Sequence, residues 1–119
     1  MGKQETPIQS AIERYLRLME NSGRLMYQKN NSGAHKSMYK DSRGFMKTSF
    51  VKFGKKGSPD FLVWKPNQTT KVLETWFIEV KSVDGKLSPG QKEYQERCKA
   101  LGGQYHVVRS VGEVIALLK

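Results

Sequence analysis

The feature of this sequence that most constrains its fold is the run TWFIEVK at residues 75–81, together with the turn and capping signals directly after it. Aromatic and β-branched residues at this density specify a strand. Asp84 and Gly85 turn the chain, and Ser88-Pro89-Gly90-Gln91 spells a capping box with proline in the first turn, which starts a helix. That helix carries Tyr94, Cys98 and Leu101 on one face and stops at Gly102-Gly103, so Tyr94 and Cys98 are expected to be buried. Residues 105–109 read as a second strand. Strand, helix and strand in this order form a βαβ unit, whose two strands lie parallel with a right-handed crossover.

The other elements build around this unit. Thr6-Pro7-Ile8-Gln9 is a capping box, and Ile8, Ala11, Ile12, Tyr15 and Met19 recur at helical spacing until Asn21-Ser22-Gly23 ends the helix. This helix is expected to cover one face of the sheet. Residues 24–28 suggest a short strand, 29–42 a polar loop, 44–53 an extended segment and 54–59 a turn. Residues 61–64 read as a strand and 65–71 as a hairpin loop. A third capping box, Ser110 to Glu113, precedes Val114, Ile115, Leu117 and Leu118 on a final short helix. The expected fold class is α/β (α+β), with a mixed central sheet flanked by helices. No repeat or long linker divides the 119 residues, so one domain, 1–119, is expected.

The composition, 37% apolar with 11 glycines, is that of a globular domain rather than a disordered chain. A single cysteine excludes an intrachain disulfide, and with only two histidines it argues against a structural zinc site. No apolar run approaches the ~18 residues of a membrane span, and the N-terminus lacks a hydrophobic signal region. An intracellular, cytoplasmic protein without a membrane partner is expected. The charge is informative: 21 Lys+Arg against 11 Asp+Glu give +10. Between Arg24 and Lys56 lie nine basic residues, among them Lys36, Lys40, Arg43, Lys47, Lys52, Lys55 and Lys56, opposed only by Asp41. A one-sided stretch of this size favours a polyanion, nucleic acid above all. Tyr27, Tyr39, Phe45, Phe50 and Phe53 interleave with it and have two readings, stacking on unpaired bases or core packing; for Phe50 and Phe53 core packing is the stronger.

The chemistry-bearing residues cluster on two strands. Asp60 opens one, behind a Gly-Ser-Pro turn, while Glu79 and Lys81 sit two apart on the other and therefore leave the sheet on the same side. Val80 between them points into the core. If the strands pair, Asp60 reaches the same place. Two neighbouring carboxylates repel unless a cation lies between them, and hard oxygen ligands suit Mg²⁺ or Mn²⁺. In this composition a Glu-x-Lys triplet arises about once by chance, so its place on a strand opposite Pro59-Asp60 carries the signal. The competing reading is a plain ion pair between Glu79 and Lys81.

Gly57-Ser58-Pro59-Asp60, Ile78-Glu79-Val80-Lys81, the run from Leu87 to Tyr94 and Tyr105-His106-Val107-Val108-Arg109-Ser110 closely resemble the VRR-NUC domain, a branch of the PD-(D/E)xK nuclease superfamily. The resemblance covers nearly the whole chain, except the basic stretch from Lys29 to Lys56. It implies a restriction-endonuclease-like fold with an αβββαβ core. It also implies that Asp60, Glu79 and the Val80 carbonyl bind Mg²⁺ or Mn²⁺, and that Lys81 orients or helps deprotonate the attacking water. Glu13 on the first helix matches a second-metal contact, direct or through water, and Gln91 a site-orienting glutamine. Both have simpler roles open to them: Glu13 pairing with Arg17, and Gln91 closing its capping box. Family members consisting of the nuclease domain alone resemble homodimeric Holliday-junction resolvases, which implies branched DNA as partner. A flap or nonspecific nicking nuclease and a non-catalytic basic DNA-binding module are the alternatives.

Overall fold

The computed structural model of the chain describes residues 5–30, 33–53 and 56–119, with side chains left aside at residues 5–6, 33–37 and 49–53. Its elements are α1 (Glu5–Asn21), β1 (Met26–Lys29), β2 (Gly33–Lys40), β3 (Met46–Phe53), β4 (Phe61–Pro66), β5 (Leu73–Val80), α2 (Pro89–Ala100), β6 (Gln104–Val108) and α3 (Val111–Leu117). Four strands form a sheet in the order β1-β4-β5-β6, and β2 and β3 form a separate hairpin. β1 and β4, and β4 and β5, pair antiparallel, whereas β5 and β6 pair parallel across α2. The expected mixed sheet and αβββαβ core are therefore present as α1, β1, β4, β5, α2 and β6, with the hairpin inserted after β1 and α3 added at the end.

One face of the sheet carries the core. Phe61 and Val63 of β4, Ile78 and Val80 of β5 and Val108 of β6 are buried against Ile12 and Leu16 of α1 and Val114 and Leu118 of α3 and its cap. Two-residue alternation puts all five strand side chains on that face, and four-residue spacing does the same for each helix. The other face is covered more thinly. α2 has no buried residue, Cys98 is only half-buried, and Leu101 is 90% exposed. The expected buried face of this helix is thus a partly open one. No helix among the described residues is long and apolar enough to cross a membrane.

Three local expectations are corrected. Within the expected loop 29–42, residues 33–40 form a strand instead, β2, which pairs with β3 from Gly33↔Phe53 to Lys40↔Met46. The turn at its tip explains why: Asp41 Oδ1 accepts hydrogen bonds from the Arg43 and Phe45 N–H groups, and Gly44 adopts φ 85°. An Asp-x-x-Gly turn between two runs of strand length is a hairpin signal. α1 already includes Glu5, ahead of the expected Thr6 cap, a difference of the size that helix ends commonly show. At α3, Ser110 caps the Glu113 N–H, but the Glu113 carboxylate reaches back to Arg109 N–H rather than to Ser110, so the box is displaced by one residue.

The hairpin packs against no other described element and draws the molecule out to 63 × 32 × 30 Å. Its radius of gyration of 17.2 Å exceeds the ~14 Å expected of a compact chain this long. Stability therefore resides in the α1–sheet–α3 core. Phe61→Ala should cost about 3–5 kcal/mol in urea denaturation, and Leu18→Ala, at a position 67% exposed, should change stability by less than about 0.5 kcal/mol.

Candidate active site

The antiparallel register sets Phe61 opposite Ile78, which brings Asp60, just before β4, alongside the end of β5. Asp60 Oδ2 accepts a hydrogen bond of 2.8 Å from the Val80 N–H. Glu79 and Lys81 flank Val80 and emerge on the opposite side of the sheet from it; Glu79 is 3% exposed and Lys81 9%. Lys81 Nζ lies 3.6 Å from Glu79 Oε2. Gln91 Nε2 donates to the same oxygen at 3.0 Å, while Gln91 Oε1 accepts from the Ser88 N–H at 2.9 Å. One amide thus closes the capping box of α2 and donates to the Glu79 carboxylate.

Two contacts fix this geometry, and sequence reasoning missed both. Gly57, at φ 79°, lies so close to the start of α2 that a Cβ there would collide with the Gly90 carbonyl. Only glycine allows the turn before Asp60 to meet the helix that carries Gln91. The signal was a glycine three residues before the aspartate and another at the helix start. At the other end, Arg109 Nη1 donates to the carbonyls of Ser82, Gly85 (2.7 Å) and Val83 (3.3 Å), pinning the loop after Lys81. Lys81 N–H itself donates to the Val108 carbonyl at 2.9 Å. An arginine closing the strand parallel to Glu-x-Lys was the available clue.

Electrostatics set the site apart from an ordinary ion pair. Burial, and then the charge of Asp60, push the Glu79 carboxyl up to about 8, with Lys81 pulling the other way. Its Oε1 is buried with no hydrogen-bond partner. Tyr105 is buried nearby, its hydroxyl also unpartnered, and its phenol is pushed up by burial and by the charges of Glu79 and Asp60. A buried carboxylate beside a second one, with an orphaned oxygen, is the environment that a small divalent cation relieves. Among the described residues no three or more His, Cys, Asp or Glu side chains are grouped to hold a metal. The two carboxylates would need a backbone carbonyl and water to complete a coordination shell, and Mg²⁺ commonly keeps several waters. The residues present fit such an ion.

Glu13 stands apart from this cluster. Its carboxylate accepts from the Tyr27 hydroxyl at 3.2 Å and lies 3.6 Å from Arg17 and 3.9 Å from Lys29. Tyr27 is committed to this contact and to packing on Phe61, with ring centroids 6.4 Å apart, rather than free to stack on a base. Of the basic residues expected to meet DNA, Lys40, Arg43 and Lys47 are exposed on the hairpin and Lys56 is exposed beside α2. Lys55 lies outside the described residues, as do the side chains of Lys36, Lys52, Phe50 and Phe53. Arg43 lies 5.9 Å from the centre of the Phe45 ring, while Tyr39, Phe45, Met38 and Met46 are exposed.

Comparison with known proteins agrees with the sequence resemblance. A family model described as the VRR-NUC domain matches residues 47–112. A solved structure described as a VRR-NUC domain is similar in fold, with a TM-score of 0.59 and 23% identity, covering 98% of this chain and 96% of that one. A search of curated proteins found no match.

The raised Glu79 gives a pH signature. In metal-free buffer the folded protein holds a proton that the unfolded chain releases above the ordinary value of 4.5, so stability falls as pH rises from 4.5 to about 8. Glu79→Gln should raise the melting temperature at pH 8 relative to wild type by roughly 5–10 °C, the shift produced by about 1–2 kcal/mol, and should have little effect at pH 5. Adding Mg²⁺ at pH 8 should stabilise the wild type and not the variant. Thermal melts at the two pH values check both outcomes.

Proposed function

Because the chain belongs to the VRR-NUC domain family, and so is a nuclease of the PD-(D/E)xK superfamily, we propose that it is a divalent-metal-dependent endonuclease that resolves four-way DNA junctions through Asp60, Glu79 and Lys81. The observation that carries this reading is the buried Glu79 carboxylate set beside Asp60, with Lys81 and Gln91 on one of its oxygens. Asp60, Glu79 and the Val80 carbonyl would hold Mg²⁺ or Mn²⁺. Such an ion supplies Lewis-acid charge at a phosphoryl oxygen and lowers the pKa of water. Lys81 places a positive charge where negative charge accumulates on the phosphate, and orients the attacking water. Gln91 keeps Glu79 from rotating away. Glu13, held by Arg17, Lys29 and Tyr27, is proposed to act at most through water, on a second cation.

The hairpin supplies the grip. Lys40, Arg43 and Lys47 would contact backbone phosphates, which position the duplex without reading sequence. A non-catalytic binding module would not require two carboxylates facing phosphate, which favours the enzyme. Resolution needs two cuts, and taking residues 1–119 as one domain with one site, the reading calls for a two-fold homodimer.

Asp60→Ala and Glu79→Ala should each lower Mg²⁺-dependent cleavage at least about a hundredfold while DNA binding persists, and Gln91→Ala should cost roughly 10–100-fold. The assay is a panel of labelled four-way junction, flap, duplex and single-stranded DNA, paired with light scattering at micromolar protein. A monomer that nicks one strand at a time overturns the resolvase reading in favour of the flap or nicking enzyme. Near wild-type rates in either carboxylate variant overturn the site.

Binding should weaken steeply with salt. Replacing Lys40, Arg43 and Lys47 together by Ala should reduce the slope of log K against log salt by roughly 2–3, with all DNA forms affected alike. An affinity that does not change with salt would count against the hairpin as the grip.

A further inference from the structure

A half-open hollow of about 470 Å³ lies beside α2. The chemistry proposed above does not use it. Phe77 and Tyr94 supply aromatic surface, Cys98 lines it, and its charged residues are Lys56, Arg97 and Glu93, two positive against one negative. The volume is within the ~300–1,000 Å³ of small-ligand sites.

Its position is specific. Phe77 is two residues before Glu79 on β5, so the two side chains leave the same sheet face about 6.6 Å apart along the strand. Gly90, also in the lining, precedes Gln91, which bonds Glu79. The stem of Lys56 lies against Gly90, where a Cβ would meet its carbons at 3.3–3.4 Å. The hollow is therefore next to the carboxylates, within a nucleotide's reach of a phosphate held there.

Its chemistry suits one kind of occupant. The Phe77 and Tyr94 rings stand 6.1 Å apart at 55°, offering π surface to a flat ring. Aromatic side chains of this kind hold bases without regard to sequence. Among the described residues, Arg97 makes a 3.8 Å surface pair with Glu93, weak enough to exchange for a phosphate.

We propose that this hollow binds the unpaired nucleotide next to the scissile phosphate, with its base against Phe77 and Tyr94 and its phosphate near Lys56 and Arg97. The proposal rests on the nuclease reading and deepens it. A base stacked and paired in a duplex cannot enter. The site would thus favour DNA whose bases are already unstacked beside the cut, as at a branch point or flap.

Cys98, the one thiol in the chain, reports on occupancy in the unaltered protein. Its alkylation by iodoacetamide in EDTA is tracked by mass spectrometry, alone and with three oligonucleotides: a single-stranded dT hexamer, an abasic hexamer of equal charge, and a blunt duplex. At ten times its Kd, the dT hexamer should slow alkylation about tenfold, and the other two should not. Equal protection by the abasic strand, or none by dT, overturns the proposal. Slowing that grows with protein concentration in the absence of DNA also overturns it, because a second copy then covers the hollow. A second readout needs no thiol. A 2-aminopurine base within a dT hexamer should be quenched by wild type and not by Tyr94→Ala of unchanged circular dichroism; equal quenching overturns the proposal. Mg²⁺-dependent cleavage of the DNA panel is measured on the same preparation. Cleavage without protection overturns this pocket alone, and protection without cleavage overturns the nuclease reading alone.

Discussion

The burial of the Glu79 carboxylate is the constraint that the functional end of this molecule is arranged around. An ionised carboxylate 3% exposed beside Asp60 is unfavourable by itself, and the contacts from Lys81 and Gln91 reduce that cost. Lys81 supplies a counter-charge, Gln91 a hydrogen bond, and the Val80 N–H holds Asp60 in place. These groups come from different elements, so the site exists only when β4, β5 and α2 are docked together. The compensation is incomplete, because one Glu79 oxygen stays unpartnered. A fold that fully neutralised this carboxylate would leave nothing to attract a cation. A fold that left it solvated would hold the cation weakly.

The docking in turn depends on backbone contacts that admit no side chain. Gly57 must lie against Gly90 for the turn before Asp60 to reach the start of α2. α2 buries no residue of its own, so its position comes less from a hydrophobic face than from this close approach and from the Gln91–Glu79 bond. Stability and site geometry are therefore supplied from opposite sides of the sheet. α1 and α3 provide the core on one face, and α2 completes the site on the other.

The same division governs how far the sequence could be read. β4, β5, α2 and β6 were legible because burial on one face imposes alternation on strands, and because Ser88-Pro89-Gly90-Gln91 encodes its own hydrogen bonds. The pairing of Asp60 with the Glu79-Val80-Lys81 strand came from those elements. Of the β2–β3 hairpin, β3 was read as an extended segment but β2 was not: Met38, Tyr39, Lys40, Met46 and Lys47, on either side of the tip, are all exposed and carry no core-facing period, and only the Asp41–Gly44 turn announced the hairpin. Leu101 and Cys98 misled in the opposite sense. Their helical spacing is real, but it lines an open hollow rather than a core. Arg109 and Gly57 act through backbone carbonyls and close approach, which no periodicity records.

The hairpin and the hollow also bear on one another. The hairpin's positive charge is spread along an arm that touches no other described element, so it can track a phosphate backbone without disturbing the carboxylates. Such contacts raise affinity for all DNA alike and give no preference for one structure over another. Discrimination among substrates must therefore arise near the carboxylates, where the shape of the DNA at the cut is felt. The aromatic surface of Phe77 and Tyr94 is the feature of that region that the proposed nucleotide site would use to distinguish an unstacked base from a paired one. Grip at a distance and selection beside the cut are separate physical tasks, and the proposed reading assigns them to separate elements.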